Sequence, residues 1–347
     1  MDRAAFPPGG LRPLRTPRLL AGLAFALAAL AGGGWYGYAV WWPGHCLDRL
    51  AHCPPEEAER WVERVARFGD RVGPRLLAGF RIGDATACGR YRDVLEKPTD
   101  GWPAGDPHGT AFVQQLADGF PMFAAAGQCC ALDLADELCS GRQPQAREIC
   151  GEMVARALTQ PAEEVRVKAI ALLMARPDLG PPAAVVDRLG DPSPAVRRAA
   201  VLAVGPSRNL ITDDDLLRWL HDPDAEVRRL CETALRSRGL RAQDVQMGRL
   251  LTDARPRARL ELLPYLRQDT DLDVSAWLRR LTLDPAPAVR AGAVRAAAEQ
   301  QVVGLADRLA QMAGTDPDPT VRENARYYLG HMRMEQPAGW QTPDGQR

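Results

Sequence analysis

The chain has 347 residues, with 44 Lys+Arg against 44 Asp+Glu, so its formal charge is zero. That balance argues against a strongly basic nucleic-acid binder and against an acidic solvating tail. It is 46% apolar and 25% charged, contains only four Ile, and is rich in Ala, Leu and Arg; this describes an ordered, all-α chain rather than a disordered or β-rich one.

Residues 1–18 form a basic segment holding Arg3, Arg12, Arg15 and Arg18 against one acid, Asp2. Leu19 to Trp42 then carry no charge. As a helix this stretch reaches about 36 Å, enough for a hydrocarbon core of about 30 Å. Trp35, Tyr36, Tyr38, Trp41 and Trp42 cluster at its far end, as an interfacial aromatic belt does. Residues 19–42 are therefore predicted to be a transmembrane helix embedded in a lipid bilayer. The Arg bias places the N-terminus in the cytoplasm and the body of the chain outside. The expected location is the bacterial inner membrane, single-pass, with the remainder periplasmic or otherwise extracytoplasmic. The alternative is a secreted protein cleaved near Ala31, since Ala29-Leu30-Ala31 has the small-residue pattern of a signal-peptide site.

Residues 43–155 read as an irregular helical region containing seven of the eight cysteines. Helices are predicted over 55–68, 70–80 and 143–159, with one or two buried helices over 111–138 and a Pro/Gly-rich loop over 98–109. In an exported domain Cys46 with Cys53, and Cys139 with Cys150, are candidate local disulfides. His45-Cys46 and His52-Cys53 admit a zinc reading, but no C-x-x-C or H-x₃₋₅-H spacing supports one.

Residues 156–335 carry a repeat. Val165-Arg166 recurs as Val196-Arg197, Val227-Arg228, Ala258-Arg259, Val289-Arg290 and Val321-Arg322, at steps of 31, 31, 31, 31 and 32 residues. A turn precedes each, such as Asp191-Pro192, Asp222-Pro223 and Asp284-Pro285. A fixed period of this length marks stacked units, none of which buries its apolar face alone. Each unit reads as two helices, and Asp222 is expected to cap the second helix of its unit. The second helix carries an apolar stripe such as Val227, Cys231 and Ala234. Cys231 aligns with Ala200 and Ala293 and is expected to be a buried core thiol. Ala258 and Pro264 mark an irregular unit with a kink. Residues 336–347 are a predicted flexible tail.

The pattern Asp-Pro-x-x-x-Val-Arg-x-x-Ala resembles HEAT repeats, specifically the short phycobilisome-lyase-type subclass. The resemblance implies a right-handed α-solenoid of stacked helix pairs. It also implies a structural ladder of Asp and Arg, matched here as Asp191/Arg197, Asp222/Arg228, Asp253/Arg259, Asp284/Arg290 and Asp316/Arg322.

No Walker A, dinucleotide fingerprint, nucleophile elbow or H-E-x-x-H appears, so no catalytic, cofactor or metal residue is assigned. Arg198, Arg229, Arg236 and Arg267 are expected on the outer face of the second helices, where a basic stripe would meet an acidic partner protein or a lipid headgroup. The expected function is a membrane-anchored, non-catalytic scaffold or adaptor binding other proteins, with no nucleic acid. The alternatives are a bilin lyase-like or other enzyme accessory role, and a structural envelope protein that forms homo-oligomers.

Overall fold

The protein is described by a computed structural model over residues 34–35, 41–99, 103, 106–139, 146–268 and 273–334. The basic segment 1–18, most of the predicted span at 19–42 and almost all of the C-terminal tail lie outside the described residues. Among the described residues every regular element is helical, and no helix is long and apolar enough to cross a membrane. The chain divides into two compact units, residues 1–180 and 181–347.

Among the described residues the first unit contains eight α-helices. They are α1 (Trp42–His52), α2 (Ala58–Ala66), α3 (Gly73–Gly79), α4 (Ala85–Thr99), α5 (Pro107–Gly119), α6 (Ala125–Cys139), α7 (Arg147–Ala157) and α8 (Glu163–Ala175). The compact unit runs past residue 155 to residue 180 and takes in α8, because α7 and α8 both pack against α6. The apolar stretch at 111–138 resolves into α5 and α6, separated at Phe120-Pro121. Helix α4 falls outside the sequence-predicted elements. Its buried side includes Arg90 beside Ala87, Cys88 and Val94, so its apolar period is interrupted. Arg90 is buried because it donates to the Leu50, Ala51 and Cys53 carbonyls at 2.8, 2.9 and 2.7 Å. These are carbonyls at the end of α1 that no helical N–H reaches.

Cys139 at the end of α6 is disulfide-bonded to Cys150 on α7. Cys46 and Cys53 are free thiols, which corrects the first of the two candidate disulfides. Cys46 faces the core of α1, while Cys53 follows the helix end and its thiol donates to the Leu50 carbonyl. Seven residues of helix hold the two apart by about 10 Å. Removing Cys139–Cys150 by reduction, or by Cys139→Ser, is expected to cost about 2–3 kcal/mol, the chain-entropy value for so short a loop. Thermal unfolding with and without reductant measures it; an unchanged Tm contradicts it.

Among the described residues the second unit contains ten α-helices. They are α9 (Pro194–Val204), α10 (Asp213–Arg218), α11 (Ala225–Ser237), α12 (Ala242–Leu251), α13 (Pro256–Leu260), α14 (Leu262–Gln268), α15 (Val274–Leu281), α16 (Pro287–Glu299), α17 (Ala306–Thr315) and α18 (Pro319–Met334). A 3-10 helix, Pro182–Gly190, stands as the first element and packs against α9. The elements pair in order, and successive second helices pack on one another, α9 on α11 and α16 on α18. The stripe residues Val196, Ala200, Val227, Cys231, Val289, Ala293, Val321 and Ala325 are all completely buried. Small side chains at the centre let helix axes approach closely.

Local chemistry explains the turns. Asp224, not Asp222, caps α11: its carboxylate accepts the Val227 N–H at 2.9 Å. Asp222 instead accepts the Asp224 N–H at 2.8 Å, holding the turn. Ser193 caps α9 in the same place, with Pro194 in the first turn where a missing N–H is not felt. The irregular unit is broken in two at Glu261, between α13 and α14. Pro264 has no N–H for the Leu260 carbonyl, and its ring crowds that oxygen.

Candidate functional site

The Asp and Arg residues of the turns form a chain of charge, but in a different register from the one expected. Arg197 donates to the main-chain oxygens of its own turn, Asp191 and Pro192, at 2.9 and 3.2 Å through Nη1. Its opposite edge, Nε and Nη2, then grips the carboxylate of the next turn, Asp222, at 2.8 Å on both oxygens. Arg259 holds Asp284 at 2.6 and 2.9 Å, and Arg290 holds Asp316 at 2.9 and 2.8 Å, in the same way. The expected pairs Asp191/Arg197, Asp222/Arg228, Asp253/Arg259, Asp284/Arg290 and Asp316/Arg322 are therefore main-chain contacts. The ion pairs run forward, from Arg197, Arg259 and Arg290 to the Asp of the following turn. The guanidinium is a planar fork: with one nitrogen fixed on its own turn, the two-nitrogen edge can only face the neighbour.

These pairs are buried, with side chains no more than 9% exposed. The Arg290 guanidinium holds the Asp316 carboxyl below its ordinary range, and Asp222 raises Arg197 further above the ordinary arginine value. They join adjacent repeats and are not available to a ligand.

The predicted basic stripe is largely neutralised within the chain. Arg198 grips the capping carboxylate of Asp224 at 3.0 and 2.6 Å. Arg229 pairs with Glu226 one helical turn before it, and Arg267 with Glu299. Only Arg236 of the four has no ion pair among the described residues, and it is exposed. Carboxylates three residues back on the same helix, or in the next repeat, reach the others. This is a correction to the expected stripe, and it arises because spacing along one helix says nothing of its neighbours' charges.

The acidic run Asp213-Asp214-Asp215 is likewise spoken for. Thr212 caps α10, with its hydroxyl 3.1 Å from the Asp215 N–H. Asp213 pairs with Arg238 at 2.8 Å, and the same Arg238 side chain donates to the Gly205, Ile211 and Ser207 carbonyls. Asp214 reaches Arg280 on α15 at 2.8 Å, although the helix α12 intervenes along the chain. Beneath that bridge lies a cavity of about 470 Å³, lined among others by Leu217, Leu251, Thr252, Asp253, Leu283 and Pro285. Leu283 at its edge is 67% exposed, a large apolar side chain in a turn. Sequence reasoning missed this hollow because Arg280 and Asp214 are two repeats apart.

Three of the buried thiols are poor nucleophiles. Burial pushes Cys231 and Cys130 up to about 12 and Cys88 up to about 11, so all three stay protonated. His45 stacks on Trp41 and His52 bonds the Asp48 carbonyl, so neither converges with the buried Cys46. Among the described residues no group of three or more His, Cys, Asp or Glu side chains is placed to hold a metal ion.

Comparison with known proteins matches this geometry. The family model for HEAT repeats matches residues 152–236 and 247–330. No curated protein matches the chain. Stacked helix pairs, a buried Val/Ala stripe and turn-to-turn Arg–Asp bridging accompany that match, and the C-terminal half of this chain is thus built of HEAT repeats.

Proposed function

We propose that this chain is a membrane-anchored, non-catalytic scaffold that holds partner proteins on its HEAT-repeat surface, on the outer side of a bacterial inner membrane. The repeat match carries the reading, since arrays of this kind generally serve protein interaction. The described surface agrees with it: its buried charges are structural, the Cys88, Cys130 and Cys231 thiols stay protonated, and its turns expose apolar side chains such as Leu283. Export is supported by the basic-to-apolar order of residues 1–42 and by the Cys139–Cys150 disulfide, a bond that persists in oxidising compartments.

Affinity capture from crosslinked cells, with mass-spectrometric identification, tests the scaffold reading. A reproducible partner lost on deletion of residues 181–334 is the expected result, and recovery of the bait alone overturns it. Alkaline extraction of membranes tests the anchor: the full-length chain is expected to stay with the membrane, and its release contradicts the anchor while leaving the scaffold intact.

A further inference from the structure

One rung of the Arg–Asp ladder is open. Arg228 places Nη1 on the carbonyls of Asp222 and Pro223, at 2.7 and 3.0 Å. Arg197, Arg259 and Arg290 make the same two bonds in their own turns, so Arg228 is oriented as they are. In those three, the remaining Nε/Nη2 edge holds the next carboxylate. At Arg228 no carboxylate lies within 4.0 Å among the described residues. The one that would fill the place, Asp253, is taken by Arg255, whose Nε and Nη2 each lie 3.1 Å from it. Arg255 holds Asp253 down to about 2. The corresponding positions in the other turns are Ser193, Asp224, Ala286 and Asp318, none of which carries a guanidinium to compete.

The local charge balance follows. An intact rung has one Arg and one Asp. Here Arg255 takes the carboxylate of Asp253, Glu261 acts on that same Arg255 without an ion pair, and Arg257, two residues on, is exposed with no ion pair among the described residues. Unlike the buried ladder residues, Arg228 is only half-buried, so its open edge meets solvent. A guanidinium edge preset in the geometry that elsewhere binds a carboxylate is a receptor for one, and its ordering cost has already been met by folding.

We propose that the Arg228 edge receives an aspartate or glutamate carboxylate from an acidic segment of a partner protein, which completes the missing rung. This rests on the scaffold reading above and names the chemistry of its partner.

The probe is a fluorescent octaglutamate peptide, with anisotropy measured on the full-length chain in detergent at low ionic strength. The native chain is expected to bind it, Arg228→Gln about ten-fold more weakly, and Arg236→Gln within two-fold of native. No binding to the native chain, or equal weakening by the two variants, overturns the proposal, the latter because it would show nothing but diffuse attraction. Tighter binding of a single-stranded oligonucleotide through the same Arg228 also overturns it, by assigning the edge to phosphate. Should Arg228→Gln fail to fold, Arg255→Ser keeps the test: it leaves Arg228 in place and frees Asp253 as an internal competitor. Weaker peptide binding is then expected, and unchanged binding overturns the proposal. A partner captured from cells alongside peptide binding indifferent to Arg228 refutes this inference alone; capture of the bait alone refutes the scaffold reading.

Discussion

Asp222→Ala is expected to destabilise the second unit by about 3–5 kcal/mol, because it strands the buried Arg197 guanidinium without its anion. The two side chains are 1% and 9% exposed, so water does not replace the lost partner. Asp222 also accepts the Asp224 N–H, so the turn loses a hydrogen bond in the same step. Replacing both members, Arg197→Met with Asp222→Leu, is expected to cost much less than Asp222→Ala, since no charge is then left buried. Denaturant unfolding of the single and double variants measures the difference. Equal losses in both would show that the pair contributes nothing beyond its packing. The open rung gives an internal comparison: Arg228→Gln removes no buried ion pair and is expected to cost less than Arg197→Gln.

Two other turn carboxylates set an acid limit. Asp316 and Asp253 titrate below an unfolded aspartate, which lies near 4, and Asp253 falls to about 2. A depressed folded value means the stabilisation is present above the unfolded value and is lost as pH falls through the folded one. Stability is therefore expected to decline from about pH 4 towards pH 2, a decline that Asp253→Asn makes shallower. A pH series of Tm values checks it.

Phe80→Ala is expected to cost about 3–5 kcal/mol in the first unit. The ring is completely buried and meets Phe123 edge-to-face, with centroids 5.4 Å apart. The Phe80 carbonyl accepts the Ala124 N–H at 2.8 Å, which brings the chain after α3 against the start of α6. Gly127 permits that approach: a Cβ there would lie 2.3 Å from the Phe80 oxygen. Gly127→Ala is accordingly expected to destabilise by about 1–3 kcal/mol, for overpacking rather than for a cavity. Paired Tm measurements separate the two: Phe80→Ala should lower Tm more, and a Gly127→Ala chain as stable as native would contradict the close approach.

Much of the repeat region was legible because its signal is one-dimensional. A period of 31 residues, Pro after Asp, and Val, Cys and Ala at helical spacing specify a helix pair without reference to anything distant. Cys231 was readable as core for the same reason, and it is completely buried. Pro264 announced the break between α13 and α14 through its missing N–H. Helix α4 was not legible, since Arg90 occupies its buried side to satisfy carbonyls of α1 nearly forty residues earlier.

The charges divide along the same line. Sequence by itself determined that Asp and Arg recur in five of the six turns, Gln160 standing in the first, and that the units must stack to bury their stripe. It did not determine which Asp answers which Arg, because the six-residue spacing within a turn is satisfied equally well by a main-chain contact. Only the packing of successive turns decided that the Arg197, Arg259 and Arg290 guanidinium groups reach forward, that Arg198, Arg229 and Arg267 are already neutralised, and that Arg255 intercepts Asp253 and leaves Arg228 open. Ion pairing falls off over a few ångströms, so it is set by which side chains the fold brings together rather than by their distance along the chain.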